Sequence, residues 1–166
     1  MTEIKSLTIE ELKAALADMG EKPFRAGQIF KWLHGGVESF EEMSNLSKDL
    51  RAALSERFFI SKLEMLRKQV SAIDGTIKYL WQLGDGNAVE TVVMHYKHGN
   101  TVCISSQVGC GMGCPFCATG KLGLTRNMST GEIIEQVRVA AKMMRDGEVA
   151  GGEGRLSNIV FMGMGE

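Results

Sequence analysis

Residues 100–162 restrict the fold of this chain more than any other part of it. "NTVCISSQ" (100–107) alternates, with Thr101, Cys103 and Ser105 pointing one way and Val102 and Ile104 the other, the period of a strand. "STGEIIEQVRVAAKMMRDG" (129–147) reads as a helix. Ser129 is its N-cap, Glu132 completes a capping box, and Ile133, Val137, Ala140 and Met144 form the buried stripe. A loose connector, "DGEVAGGEGRLS", leads to "NIVFM" (158–162), a short continuous apolar run expected for a strand buried on both faces. Strand, loop, helix, strand is a βαβ unit, so the two strands are expected to be parallel. In such sheets ligands sit beyond the carboxyl ends of the strands. A cysteine-rich loop follows the first strand and "GMGE", Gly163 to Glu166, follows the second. Both therefore emerge at the same end.

That loop lies within "CISSQVGCGMGCPFCATG", which holds all four cysteines of the chain. Cys110, Cys114 and Cys117 form C-x3-C-x2-C, a spacing that lets three thiolates wrap one compact cluster and leave one metal open to a ligand. A zinc site using all four thiols is the alternative, although zinc ribbons bring paired cysteines from separate turns. Cys103, seven residues back and within the strand, is either a buried inert thiol or a reactive one. "GMGE" is either a ligand-holding segment or a plain glycine-rich turn.

The rest of the chain supplies two further regions. Residues 1–60 read as three short helices. Thr8 caps the first, with Glu11 as its box partner and Ile9, Leu12, Leu16 and Met19 on one face; Pro23 opens the second and Gly35-Gly36 stops it. Leu46, Leu50, Leu54 and Phe58 recur every four residues in the third. Residues 61–100 read as an antiparallel meander with turns at Asp74-Gly75 and Asp85-Gly86. On its third strand Glu90 shares a face with Val92 and Met94, which implies either an edge strand with that face wet or a carboxylate belonging to a site.

The formal net charge of −1 gives no field pointing to nucleic acid or membrane. "MTEIKSLTIEELK" has no apolar core of a secretory signal, and no run approaches the ~20 apolar residues of a membrane span. The reading is a cytoplasmic protein, in which clustered cysteines point to metal or catalysis rather than to a disulfide frame.

C-x3-C-x2-C with Phe116 before the last cysteine resembles the signature of the radical S-adenosylmethionine (SAM) superfamily. "FRAGQIFKWLH", "DGTIKYLW", "VETVVM", "CISSQVGCGMGCPFCATG", "TRNMSTGEIIEQV" and "NIVFMGMGE" together resemble the RlmN-type adenine-C2 RNA methyltransferases, which include the Cfr resistance enzymes. The resemblance runs from about Leu12 to Glu166. It implies an α/β chain: a helical accessory domain that engages RNA (1–60), a β linker (61–100) and the first βαβ part of a TIM-like radical SAM barrel (101–166).

It also implies a 4Fe–4S cluster on Cys110, Cys114 and Cys117, SAM held by Phe116, Gly165 and Glu166, Glu90 as proton acceptor, and Cys103 as the thiol that resolves a protein–RNA adduct by forming a disulfide. The implied partners are ribosomal and transfer RNA and a flavodoxin-like electron donor, with no membrane. Arg25, Lys31, Lys48, Arg51 and Arg57 either touch phosphate or belong to solvated helix faces. The family's methyl-carrying cysteine lies downstream and has no counterpart here, so the chain is expected to be an inactive N-terminal fragment. Two rivals stand beside this reading. A methylthiotransferase would need a second set of cysteines, and a non-catalytic metal-stabilised RNA module would bind zinc without sulfide.

Overall fold

A computed structural model of the protein describes residues 1–97, 99–147 and 155–165. The chain divides into two units, Met1–Lys62 and Leu63–Glu166, each with its own apolar core. In the first unit, β1 (Thr2–Glu3) is followed by α1 (Ile9–Ala17), α2 (Phe24–Gly35), α3 (Lys48–Arg57) and β2 (Phe58–Phe59). The Thr8–Glu11 capping box opens α1, and Leu12 and Leu16 are fully buried. Gly36, at φ 99°, ends α2 in the left-handed conformation that favours glycine. Leu46, Leu50, Leu54 and Phe58 are all buried, although only Leu50 and Leu54 lie within α3. Leu46 precedes the Ser47 N-cap, and Phe58 begins β2, which pairs in parallel with β1. Strands of two residues are too short to leave a periodic trace, so this pairing is absent from the sequence reading.

The second unit is built on a five-stranded sheet. β3 (Glu64–Val70), β4 (Ile77–Gln82) and β5 (Ala88–Tyr96) form the expected meander, with Gly75 and Gly86 at positive φ in its turns. β6 (Gly99–Cys103) pairs antiparallel with β5. A short ribbon follows, β7 (Gln107–Gly109) against β8 (Leu124–Asn127), then α4 (Thr130–Arg145) and β9 (Leu156–Val160). β9 pairs in parallel with β6, giving the order β3-β4-β5-β6-β9. The βαβ unit is therefore present. The meander continues the same sheet rather than standing apart as a linker, because Val92 and Val93 of β5 pair directly with Cys103 and Val102 of β6.

One face of this sheet is dry. Ile77, Tyr79, Trp81, Val89, Val93 and Val102 cluster with Ala140, Met143 and Met144 of α4. Ile133 and Val137, expected at the centre of the helix stripe, are only partly buried, and Gln136 is fully buried between them. The expectation of a last strand buried on both faces is not met. Among the described residues β9 has a neighbouring strand on one side only; Ile159 is 48% exposed, and Phe161 and Met162 lie past the strand and are exposed. Most of the connector expected at 146–157 lies outside the described residues. Among the described residues no helix is long and apolar enough to cross a membrane.

Arg126 of β8 ties three elements together. Its guanidinium meets Glu132 in the first turn of α4 through two hydrogen bonds of 2.9 and 2.8 Å, and Asp85 in the β4–β5 turn at 2.7 Å. The Arg126 hydrogen bond holds the Asp85 carboxyl well below the usual carboxylate range. Burial pushes Glu132 up, but Arg126 and the Ser129 N–H outweigh it and leave the carboxyl lowered. A lowered folded-state pKa contributes stability that is present above the unfolded value and lost as pH falls through the folded one. Replacing Arg126 with Ala should therefore cost about 1–2 kcal/mol at neutral pH. The difference from wild type should shrink as pH drops below about 4. Urea unfolding of both chains between pH 7 and pH 2 checks this; a difference that does not change with pH would show that the two ion pairs contribute nothing.

Candidate functional site

Cys103 is the last residue of β6. The register places it beside Val92 of β5 and Val160 of β9, with Lys78 of β4 on the other side of Val92. Side chains alternate along a strand, so Glu90, two residues before Val92, lies on the same face one row away. This face is opposite the one covered by α4. β5 lies between β4 and β6, so the edge-strand account of Glu90 does not hold. Glu90 is partly exposed, with no helix of the described residues packed on its face, and its carboxylate meets the Lys78 ammonium at 3.0 Å. Cys103 is buried, and burial pushes its thiol up, partly offset by the Met162 backbone N–H. It is therefore held as the protonated thiol at neutral pH.

Beyond β6 the chain makes a dense polar crossing at Ser105. The Ser105 hydroxyl donates to the Glu90 carbonyl at 2.6 Å and accepts from the Met164 N–H at 2.9 Å. Its backbone N–H and C=O are both taken by the side-chain amide of Gln136, at 2.9 and 2.8 Å. The Met164 carbonyl accepts from the N–H groups of Ser106 and Gln107, and the Gly163 N–H donates to Ile104. The segment after β9 is thus stitched to the segment after β6, as the shared end of the sheet requires. Two glycines make this approach possible. A Cβ on Gly163 would lie 2.7 Å from the Ile104 carbonyl oxygen, and one on Gly165, at φ 111°, would lie 2.6 Å from the Ser106 hydroxyl. Glu166 lies outside the described residues.

The cysteine loop is tied at its base by the β7–β8 ribbon, which the sequence reading treats as plain loop. Cys110 N–H donates to the Gly123 carbonyl at 2.9 Å. At Gly109, φ 78°, a side chain would meet that same carbonyl oxygen at 1.9 Å. Further along, Cys117 N–H bonds the Cys114 carbonyl, and a 3-10 turn at Thr119–Leu122 folds against Cys114. Cys110 is buried, while Cys114 and Cys117 are half-buried. Backbone N–H groups, Gly120 foremost and then Thr119, point to the Cys117 sulfur and lower its pKa. Phe116, between the last two cysteines, is 90% exposed.

All four cysteines are free thiols. Among the described residues no three His, Cys, Asp or Glu side chains converge as a metal-binding group, so the loop carries the three thiols without gathering them. The donor set nonetheless fits an iron–sulfur cluster in kind: three sulfurs on one loop, one of them favoured as thiolate by backbone donors, and Cys103 apart on the strand. The sequence reading missed Lys78, Ser105 and Gln136 as members of this region. Gln136 had a readable signal, since it stands three residues after Ile133 and four before Ala140, on the buried stripe.

Residues 2–60 match the model of the ribosomal RNA large subunit methyltransferase N-terminal domain. The chain is 56% identical over 161 residues to a protein of Bifidobacterium longum named as a probable dual-specificity RNA methyltransferase RlmN, covering 96% of this chain and 41% of that protein. It is 48% identical over 164 residues to the Bacillus subtilis protein of the same name, covering 98% and 44%. A crystal structure of a radical SAM methyltransferase from Sphaerobacter thermophilus superposes with a TM-score of 0.86 at 44% identity, over 100% of this chain and 48% of that one. The chain spans less than half the length of the curated relatives it matches. With its cysteine loop and glycine segment at one end of a βαβ sheet, the chain is similar along its whole length to the corresponding part of RlmN-type RNA methyltransferases and of a radical SAM methyltransferase, and its residues 2–60 match the N-terminal domain of the former.

Proposed function

We propose that this chain carries the cofactor-holding and acid–base residues of a cytoplasmic enzyme that methylates C2 of adenine in large-subunit (23S) ribosomal RNA and in transfer RNA. The observation that carries the reading is the stitching of the glycine segment to the chain just before the cysteine loop, through Ser105 and Met164, at the end of the sheet where Glu90 and Cys103 share a face. Cys110, Cys114 and Cys117 would hold a 4Fe–4S cluster. That group, when bound and reduced by a flavodoxin-like donor, supplies the electron for reductive cleavage of SAM.

This chain's own residues have separate duties. Phe116 offers an exposed ring beside the last thiol as a packing surface for SAM. Gly165, whose backbone no side chain could replace, presents main chain to its methionyl end together with Glu166. Glu90 accepts a proton, and Lys78 at 3.0 Å fixes the direction of its carboxylate. Cys103 keeps its proton until it resolves the adduct: as a thiolate it would attack the sulfur of the methyl-carrying cysteine, which is none of the four in this chain, so that the S–S bond forms as the sulfur–carbon bond to the RNA breaks and the released carbon takes up a proton. The 166-residue chain by itself then transfers no methyl group.

Contact with RNA falls to the first unit. Arg51 is committed to the Glu41 carbonyl at 2.6 Å, and Arg57 to Asp18 at 3.5 Å. Lys31 and Lys48 are exposed and are the better candidates for phosphate.

Two measurements test this reading. Anaerobic reconstitution of the chain should load iron and sulfide; Cys114→Ala should abolish loading, whereas Cys103→Ala should leave it nearly unchanged. Equal loss from both substitutions, or one zinc without sulfide, would sink the three-plus-one division of the thiols. In the chain extended through a full catalytic portion, nucleoside mass spectrometry should find 2-methyladenosine, and Cys103→Ala should stall as a protein–RNA adduct that survives denaturant. An 8-methyl product would assign the Cfr-type specificity instead. Methyladenosine made by the 166-residue chain alone would refute the division of labour between this chain and the rest.

A further inference from the structure

We infer that Gln136 and Ser105 are a positioning pair that fixes the glycine segment, and through it the SAM methionyl site, against the sheet face bearing Glu90 and Cys103. The inference rests on the reading given under Proposed function. It starts from a cost. Gln136 is 0% exposed, in the middle of an otherwise apolar helix face. An amide buried there sacrifices hydration that an aliphatic side chain would not need. Its groups are nevertheless fully used. The carbonyl oxygen accepts from the Thr91 hydroxyl and the Ser105 N–H, both at 2.9 Å, and the amino group donates to the Ser105 carbonyl at 2.8 Å with the Met128 sulfur at 3.8 Å. With a backbone donor and a backbone acceptor of one residue on its two ends, the amide has a single orientation.

Ser105 is likewise 0% exposed, and every polar group it owns is engaged. Its backbone N–H and C=O bind Gln136 of α4, and its hydroxyl both donates to the Glu90 carbonyl and accepts from the Met164 N–H. A fully satisfied buried polar network selects one register, where apolar packing tolerates several. The packing here confirms how narrow that register is, since the Ser105 hydroxyl lies 2.7 Å from where a Cβ on Gly163 would stand. Among the described residues Gln136 bonds Thr91, Ser105 and Met128 and none of the glycine segment, so its influence there passes through Ser105.

That indirectness makes the idea testable in the 166-residue chain. Gln136→Leu keeps the side-chain volume and removes the amide; Ser105→Ala removes only the hydroxyl and leaves the backbone pairing to Gln136. Amide hydrogen exchange should show the Met164 N–H about tenfold faster in both variants, the equivalent of losing one buried hydrogen bond. Amides of the β3–β4 pairing should keep wild-type rates and so report that the fold is intact. Equilibrium binding of SAM to the reconstituted chain should weaken about tenfold in both. If Gln136→Leu speeds exchange at Ser105 but not at Met164, the pair is local structure only and the inference is overturned. It is also overturned if Met164 loosens and SAM binding does not change. Should Gln136→Leu disturb the β3–β4 amides, Ser105→Ala decides alone. A wild-type chain that loads its cluster yet binds no SAM overturns the functional reading and, with it, the cofactor part of this one.

Discussion

The parallel pairing of β6 with β9 is the constraint on which the site depends. A parallel neighbour cannot be reached by a tight turn, so the chain must return over one face of the sheet, and α4 is that return. The consequence is directional. Both strands finish at the same end, so the segments that follow Cys103 and Val160 have to share space. α4 occupies one face, and Glu90 and Cys103 belong to the other by register alone, a face that is partly exposed at Glu90 of β5 and buried at Thr101 and Cys103 of β6. The site is thus placed by topology before any side chain is chosen.

Sharing that space requires missing side chains. Gly163 and Gly165 let the last segment run against Ile104, Ser105 and Ser106, and Gly109 lets the ribbon close on the Gly123 carbonyl. At Gly109 and Gly163 an added methyl group would overlap backbone, and at Gly165 the base of the Gln107 side chain as well as the Ser106 hydroxyl, so the neighbours could not all yield cheaply. A glycine-rich motif next to a binding site is often read as flexible. Here the glycines serve close packing. Two of them also sit at positive φ, where other residues are strained.

Much of this was legible in the sequence because it is periodic. The alternation around Cys103 fixed which residues share its face, the capping boxes at Thr8 and Ser129 fixed two helix starts, and the Asp-Gly pairs fixed two turns. What escaped reading was non-periodic or relational. The β1–β2 and β7–β8 pairings are too short to repeat, and whether a strand is internal depends on partners far away, which is why Glu90 could be assigned to an edge and "NIVFM" to a core. Gln136 escaped for another reason. Its position follows the helix stripe, but a polar residue there contradicts the pattern being counted, and only its partners at Thr91 and Ser105 explain it.

Cys103 and Cys117 show how environment divides one residue type between two protonation preferences. At Cys117, half-buried on a loop, backbone N–H groups from the following 3-10 turn stabilise the charged form, which is what a metal ligand must be. At Cys103, on a buried strand end, desolvation dominates and a single backbone donor from Met162 does not reverse it, so the proton stays. The distinction follows from secondary structure. A tight turn leaves N–H groups without carbonyl partners and can aim them at a sulfur, whereas a strand spends its N–H groups on the neighbouring strands. A site on the loop that favours the thiolate, at Cys117, and a strand end that favours the thiol, at Cys103, therefore need no special residues beyond the cysteines. They need the chain to leave the sheet between Cys103 and Cys110, which is where Ser105 turns it.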